Sequence, residues 1–209
     1  MLRSMMLAAA LAARGGAAMT IHVDAERGDD SRDGTAPERA WKSLAPLATA
    51  KAEGGVTLLF AGGKAFHGPV TLKGPLTGWT IGSYGAGRAI LDGGKGDALV
   101  LEDASGFTVR DLLVRGAGRK SGNERGTGGL LRRCKAATVR GVEAEGFQRA
   151  GIQVRESEDV RVEDCLSHDN GCAGIHVGGR KITVRRCRAI NNPGDPTIMN
   201  NHSGNGILL

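Results

Sequence analysis

A four-residue segment recurs along the chain at a nearly constant spacing, and this repetition restricts the folds open to the sequence. Gly-Ile-Gln-Val at 151–154 returns 23 residues later as Gly-Ile-His-Val at 174–177, and 32 residues after that as Gly-Ile-Leu-Leu at 206–209. A degenerate copy, Gly-Gly-Leu-Leu, lies 23 residues earlier at 128–131. A period of about 20 to 50 residues is typical of proteins whose repeats stack and bury apolar side chains against their neighbours.

Between these copies, apolar or small residues keep one register and form four columns. The columns are Phe107, Ala137, Val160 and Ile182; Val109, Val139, Val162 and Val184; Leu112, Val142, Cys165 and Cys187; and Val114, Ala144, Ser167 and Ala189. Apolar and charged residues alternate along each segment, as in Val160-Arg161-Val162, which is the period of a β-strand. The pattern predicts an all-β fold, a parallel β-solenoid of about six or seven coils from Val56 to Leu209, stacked about 4.8 Å apart.

The composition agrees with a turn-rich β-fold. The 209 residues include 34 glycines, each of which would cost a long helix about 1 kcal/mol relative to alanine, so a helical bundle is disfavoured. Hydrophobic residues make up 40% of the chain, which is too many for a disordered protein. No run of about 18 apolar residues is present, and we therefore predict no membrane partner.

The first part of the chain differs from the repeats. A signal peptide is predicted in residues 1–18, and with it a secreted or periplasmic protein; a true start at Met19 is the alternative. Residues 20–55 are predicted to form a strand, a polar turn and a short capping helix from Ser43 to about Ala52. This segment would cover the open bottom of the solenoid. The other end stops within a repeat, so we expect the solenoid to be incomplete at the C-terminus.

Two parts of the sequence resemble the right-handed parallel β-helix proteins of the pectin-lyase-like group. One is the N-terminal segment, and the other is the repeat with its Asn170-Gly171 corner. The N-terminal likeness is carried by Ile21-His22-Val23-Asp24, Gly28-Asp29-Asp30-Ser31, Asp33-Gly34-Thr35, Trp41-Lys42-Ser43-Leu44 and Thr80-Ile81-Gly82-Ser83-Tyr84-Gly85. The resemblance implies a right-handed coil and a carbohydrate-active protein, because the group includes secreted polysaccharide lyases, epimerases and hydrolases. In such lyases the carbohydrate lies across an exposed sheet face beside long loops.

Two long connections predict the position of a groove. The link between the fourth column and the recurring strand is short at 167–175 but extended at Ala117–Gly128 and Asn191–Asn205. Both extensions leave from the same corner, about 14 Å apart on the strand spacing, so we expect them to border a groove. Its predicted floor consists of the outward residues Leu130, Gln153, His176 and Leu208.

His176 is the main candidate for chemistry in this groove. An imidazole with a pKa of about 6.5 can accept the C5 proton of a uronate sugar in a β-elimination, while Arg or Lys neutralises the adjacent carboxylate. The candidate catalytic residues are His176, His202 and Asp195, and the candidate substrate-binding residues are Gln153, Arg155, His168, Asp169 and Lys181. A solvated surface role for His176 is the alternative.

The predicted partner is an acidic polysaccharide and the predicted reaction is that of a lyase, performed by a monomer. Residues 110–188 contain 17 Lys or Arg against 10 Asp or Glu, and a basic stretch attracts an acidic polymer. Nucleic acid is not favoured, because interleaved aromatic residues are missing. Two alternatives stay open, a noncatalytic binding or structural module and a glycoside hydrolase. A hydrolase needs two carboxylates about 5 to 9.5 Å apart, here from Asp169, Asp195 and Glu124.

No cofactor is predicted, and calcium near the N-terminus is the alternative. Four aspartates, at positions 24, 29, 30 and 33, lie near two glycines; carboxylates at this density bind calcium, or form Asx-turns. No other metal is predicted. Cys165 and Cys187 share an inward column and are expected to stack as small hydrophobic residues rather than form a disulfide. The chain contains no C-x-x-C pair, so no cysteine-based zinc or redox motif is indicated.

Overall fold

The computed structural model describes residues 7–8, 18–48, 54–122, 125–194 and 204–209, the first pair by backbone alone. Within them the chain winds as parallel β-strands, three to a coil, around an apolar core. The strands are β1 Leu7–Ala8, β2 Met19–Val23, β3 Val56–Ala61, β4 Ala65–His67, β5 Val70–Lys73, β6 Trp79–Tyr84, β7 Ala89–Gly94, β8 Leu99–Glu102, β9 Phe107–Arg110, β10 Leu112–Gly116, β11 Thr127–Arg132, β12 Lys135–Arg140, β13 Glu143–Glu145, β14 Ala150–Glu163, β15 Leu166–His168, β16 Ala173–Arg185, β17 Arg188–Ile190 and β18 Asn205–Leu208.

These strands lie on three faces. The first face consists of β1, β5, β8, β11, the first parts of β14 and β16, and β18. The second face consists of β2, β3, β6, β9, β12 and the second parts of β14 and β16. The third face consists of β4, β7, β10, β13, β15 and β17. From β3 onward the described strands complete the order second, third, first face six times, which confirms the predicted number of coils.

The stacked valines confirm the register of the repeat. Val139 pairs with Val109 on one side and Val162 on the other, and Val162 pairs with Val184. The first three of these are buried, whereas Val184, in the last coil, is partly buried against the core. Because strand side chains alternate between the two sides of a sheet, the apolar residue of each pair points inward and its charged neighbour points outward.

A 3-10 helix stands where the sequence predicts a capping helix. The prediction runs from Ser43 to about Ala52; its described part contains Ala45–Ala48 as a 3-10 helix, and residues 49–53 lie outside the described residues. Asp30 accepts hydrogen bonds from the backbone N–H and the hydroxyl of Ser43, at 2.8 and 2.6 Å. These contacts tie the start of the segment to the preceding turn.

The N-terminal segment packs against the first coils. β2 pairs with β3 and adds a strand to the second face. Another 3-10 helix, Pro37–Arg39, precedes Trp41 in the sequence. The side chains of Trp41 and Leu47 are buried in the core. Gly34 has a positive φ of 71°, and a Cβ there would lie 2.8 Å from the Trp41 ring, so the turn requires glycine. None of the described helices has the length and apolar character needed to cross a membrane.

A ladder of asparagines holds the corner between the third and first faces. Asn170 is fully buried; its Oδ1 accepts the N–H of Phe147 at 3.0 Å, and its Nδ2 donates to Oδ1 of Asn192 at 3.0 Å. Asn191 has a positive φ of 48°, the left-handed conformation that asparagine tolerates. The three asparagines therefore serve as turn and ladder residues, and they connect successive coils at this corner.

Candidate functional site on the first face

The outward residues of the first face form a row across the coils. Backbone pairing places six of these residues side by side, and we call them the first-face row: Thr71, Val100, Leu130, Gln153, His176 and Leu208. The register predicted for the floor of the groove is therefore correct. Two residues further along the strands, a second outward row carries Lys73, Glu102, Arg132 and Arg155. The first face thus presents a row without Lys, Arg, Asp or Glu beside a mostly cationic one.

Gln153 and His176 are hydrogen-bonded partners within the first-face row. Nε2 of Gln153 lies 3.0 Å from Nδ1 of His176; Gln153 is buried and His176 is partly buried. A cavity of about 10 Å³ adjoins the imidazole, which is roughly the space of one water molecule. Arg155 follows Gln153 by two residues, points to the same side of the sheet and is exposed. The contact with Gln153 orients the imidazole, and a cation lies nearby.

Glu102 is a charged residue of this face that the sequence analysis missed. Its side chain is only 4% exposed although it points outward, because three cations cover it. Lys73 Nζ lies 2.5 Å from one oxygen, and Arg133 Nη2 lies 2.6 Å from the other, which Arg132 also contacts. The hydrogen bond from Lys73, with those of Arg133 and Arg132, outweighs the effect of burial and lowers the pKa of Glu102 to about 2. An acidic residue between basic ones in the same outward position of adjacent coils is the signal that could have found this cluster.

The two long connections meet in the structure. Nη1 of Arg119, in the first connection, donates to the carbonyl oxygen of Gly194, in the second, at 3.1 Å. The backbone N–H of Gly122 donates to Oε1 of Gln148 at 2.7 Å. The first connection therefore contacts the corner at Gln148. The side chain of Arg119 spans the distance from this connection to the second one. The described parts of the two connections are therefore in contact, and are not the two separate borders that the sequence predicts.

The other candidate residues lie away from the first face. His168 belongs to β15 on the third face, and Asp169 follows it at the corner with a positive φ of 55°. Lys181 lies in the second-face part of β16, where it also has a positive φ of 55°. The structure therefore brings together Gln153 and His176, with Arg155 beside them, and separates the remaining three. Further candidates lie outside the described residues: Glu124, Asp195 and His202.

A family model connects this geometry with known proteins. The model described as a right handed beta helix region matches residues 89–209, more than half of the chain. The chain belongs to this β-helix family. Membership gives the hand of the coil, which the column pattern alone could not show. No curated protein matches the chain significantly.

Solved structures with this fold include carbohydrate-active proteins. The crystal structure of GH136 lacto-N-biosidase from Eubacterium ramulus superposes with a TM-score of 0.52 at 17% identity, over 83% of this chain and 34% of that one. A rhamnogalacturonan lyase superposes with a TM-score of 0.49 at 12% identity, over 91% of this chain and 61% of that one. This β-helix chain thus spans about a third of the biosidase and less than two thirds of the lyase, and the likeness to the biosidase extends to the fold alone.

The aspartates near the N-terminus of the β-helix bind their own turns. Oδ1 of Asp24 accepts the N–H groups of Glu26 and Arg27 at 2.9 and 3.0 Å. In Asp29 and Asp33 the hydrogen bonds from the backbone and side chain two residues on lower the pKa of the carboxyl group. These are the contacts of Asx-turns, the alternative to calcium that the sequence left open.

The cysteines of the β-helix are free thiols in the described residues. Sγ of Cys165 donates to the carbonyl oxygen of Glu163 at 3.1 Å, and Sγ of Cys187 to that of Val162 at 3.4 Å. Burial raises the pKa of the Cys134 thiol to about 11, so that thiol is protonated at neutral pH. The thiols therefore pack as small side chains, as predicted for Cys165 and Cys187.

Proposed function

We propose that this protein binds an acidic polysaccharide along its first face and cleaves it by β-elimination, with His176 as the base. The observation that carries the proposal is the Gln153–His176 hydrogen bond beside the exposed Arg155. Arg155 forms no ion pair with any residue in the described part of the chain, so its guanidinium is available for a carboxylate of the substrate. The cationic second row and the basic stretch of residues 110–188 support an anionic substrate.

In the proposed reaction, Nε2 of His176 takes the C5 proton of a uronate residue while Arg155 neutralises the C6 carboxylate. The electron pair of the C5–H bond forms the C4=C5 double bond, the bond from C4 to the glycosidic oxygen breaks, and that oxygen takes a proton from water. For Nε2 to accept a proton, Nδ1 must hold its own and donate it to Gln153. A half-turn of the Gln153 amide presents its oxygen to Nδ1 and makes this possible.

The test is to incubate the protein with polygalacturonate, alginate and glycosaminoglycans and to follow the ultraviolet absorbance of the unsaturated uronate product. We expect activity on one of them. His176→Ala should lower the rate at least about 100-fold, because a positioned base contributes 10²- to 10⁴-fold. Arg155→Gln should lower both the rate and the affinity for the polymer. His67→Ala, a histidine on the third face, is the matched control and should keep the wild-type rate.

Three results would decide against parts of this proposal. Binding of the polymer without product favours the noncatalytic module. Products that carry no double bond point to hydrolysis. Full activity of His176→Ala removes His176 from the mechanism.

The proposal includes export, since polymers of this kind lie outside the cell. The predicted signal peptide is residues 1–18, of which Leu7–Ala8 pairs with β5 on the first face. N-terminal sequencing of protein recovered from the culture medium or periplasm tests this part: a mature chain that begins near Met19 supports it, and a chain retained inside the cell with residues 1–18 contradicts it.

A further inference from the structure

A histidine and two glutamates converge on the third face, on the far side of the corner from the first-face row. Glu143 and Glu145 lie two residues apart on β13, so both side chains point outward. Strand pairing places His168 of β15 directly beside Glu145 in the next coil. The three side chains are 25%, 26% and 20% exposed, so water reaches them only in part.

The distances within this cluster are close to those between the ligands of one metal ion. Nε2 of His168 lies 3.3 Å from Oε1 of Glu143 and 3.6 Å from Oε2 of Glu145, and the three atoms lie within 4.8 Å of one another. The contact with Glu143 is a long hydrogen bond, since an N–H···O bond usually measures about 2.9 Å. Ligand atoms of a tetrahedral zinc ion, with bonds of about 2.1 Å, lie about 3.4 Å apart. The two separations from Nε2 of His168 thus match those between ligands of one zinc ion.

Each ligand is oriented by a partner outside the cluster. Nη1 of Arg88 binds Oε2 of Glu143 at 2.8 Å, and Nε of Arg115 binds Oε1 of Glu145 at 2.6 Å. Each glutamate therefore gives one oxygen to an arginine and turns the other toward His168. Such contacts restrict the carboxylates before any ion arrives, and outer partners of this kind are common around metal ligands.

The orientation of His168 is fixed in the same way. Its Nδ1 lies 2.6 Å from Oδ2 of Asp169, whose other oxygen accepts a hydrogen bond from Asn191. With the Nδ1 proton directed at Asp169, Nε2 faces the two glutamate oxygens. A nitrogen that faces two carboxylate oxygens requires a cation between them, either a proton or a metal ion.

We propose that Glu143, Glu145 and His168 bind a zinc ion on the third face, with Asp169 as the positioning partner of His168. Three protein ligands leave the fourth tetrahedral position for water or for a group of a ligand. The nitrogen donor favours zinc over calcium and magnesium, which prefer oxygen ligands alone. The proposal does not depend on the proposed lyase, because the two groups of residues lie on different faces.

The test is isothermal titration of Zn²⁺ into metal-free protein without a histidine tag, at about pH 7. We expect one ion per chain and a rise in the thermal unfolding midpoint. His168→Ala should weaken binding at least about 100-fold, and Asp169→Asn about 10-fold, since loss of an outer partner typically costs 10- to 100-fold. Glu145→Gln keeps an oxygen for Arg115 and loses the charge, so it should also weaken binding and serves if His168→Ala fails to fold.

Two control variants test whether zinc binds at another histidine or at a cysteine instead. His67 occupies the same outward position as His168 near the start of the β-helix, beside the single carboxylate of Asp92 at 3.2 Å. His67→Ala should therefore bind zinc like the wild type. Cys187→Ser should do the same, and Co²⁺ should give a tetrahedral spectrum without a thiolate band. Absence of stoichiometric binding by the wild type, or equal affinity of wild type, His168→Ala and Glu145→Gln, overturns the proposal and leaves a proton as the cation between these groups.

Discussion

The first and third faces each carry a cluster of charged side chains from adjacent coils, and the two clusters are opposite in balance. On the first face, Lys73, Arg132 and Arg133 surround Glu102. On the third face, carboxylates of Glu143, Glu145 and Asp169 surround His168. The difference teaches that backbone register decides which outward residues meet, whereas their residue types decide what a face attracts. A surplus of cations suits an anionic polymer, and a surplus of carboxylate oxygens suits a metal ion.

The largest effect is expected where the two faces join. Asn170→Ala removes the acceptor of the Phe147 N–H in a fully buried corner. An unsatisfied buried donor and a small cavity together should lower the free energy of unfolding by about 2 to 3 kcal/mol. Urea denaturation followed by circular dichroism measures this. Asn191→Gly, exposed and able to keep the positive φ, is the control and should change stability by less than about 0.5 kcal/mol. Equal losses in both variants would show that the ladder does not hold the corner.

The sequence predicts which residues point inward, but not how the corner at Asn170 distributes the outward residues between faces. The inward columns could be predicted because a buried position must be apolar or small in every coil, so Val139, Val162 and Val184 repeat the same residue type. Outward positions carry no such requirement. His168 and His176 are eight residues apart, and sequence distance suggests one groove for both. The turn at Asn170 sends them to different faces instead.

The outward residues that contact each other in adjacent coils are separated by the same number of residues as the inward ones. His168 meets Glu145, and His176 meets Gln153, each 23 residues earlier. The same offset that aligns the columns therefore also pairs the surface residues. Glu102 could have been found by applying the repeat register to the charged positions as well as to the apolar ones. Near Ser43 the described part of the predicted helix is the 3-10 helix Ala45–Ala48, and the contact of Ser43 with Asp30, 13 residues earlier, is one that local propensities do not contain.

A smaller effect is expected from the first-face cluster. Glu102→Gln removes the charge that three cations share, and should lower the free energy of unfolding at neutral pH by about 1 to 2 kcal/mol. The lowered pKa of about 2 taken alone would correspond to a larger loss of unfolding free energy. The charged ends of Lys73 and Arg132 remain in contact with water, however, and water screens the interaction. The measurement is urea denaturation at several pH values.

The pH dependence of this difference has a definite sign. The folded-state pKa of Glu102 lies below the ordinary value of 4.5, so its stabilisation is fully present above about pH 4.5 and is lost as the pH falls toward about 2. The gap between wild type and Glu102→Gln should narrow over that interval. Asp103→Asn, an exposed carboxylate beside the same Arg133, is the control and should cost little. A gap that stays constant with pH would mean that the charge of Glu102 is not what stabilises the cluster.

The smallest effect is expected from the arginine that flanks the third-face cluster. Arg115 binds Glu145 at 2.6 Å, but its side chain is 45% exposed, so water and salt compete with the ion pair. Arg115→Gln should therefore lower the free energy of unfolding by less than about 0.5 kcal/mol, and the difference should vanish at about 1 M salt. Denaturation at low and high salt, with Glu102→Gln measured in parallel, tests this. If Arg115→Gln costs as much as Glu102→Gln, coverage of the carboxylate is not what distinguishes the two faces, and the charge balance of each cluster would have to be explained by residue type alone.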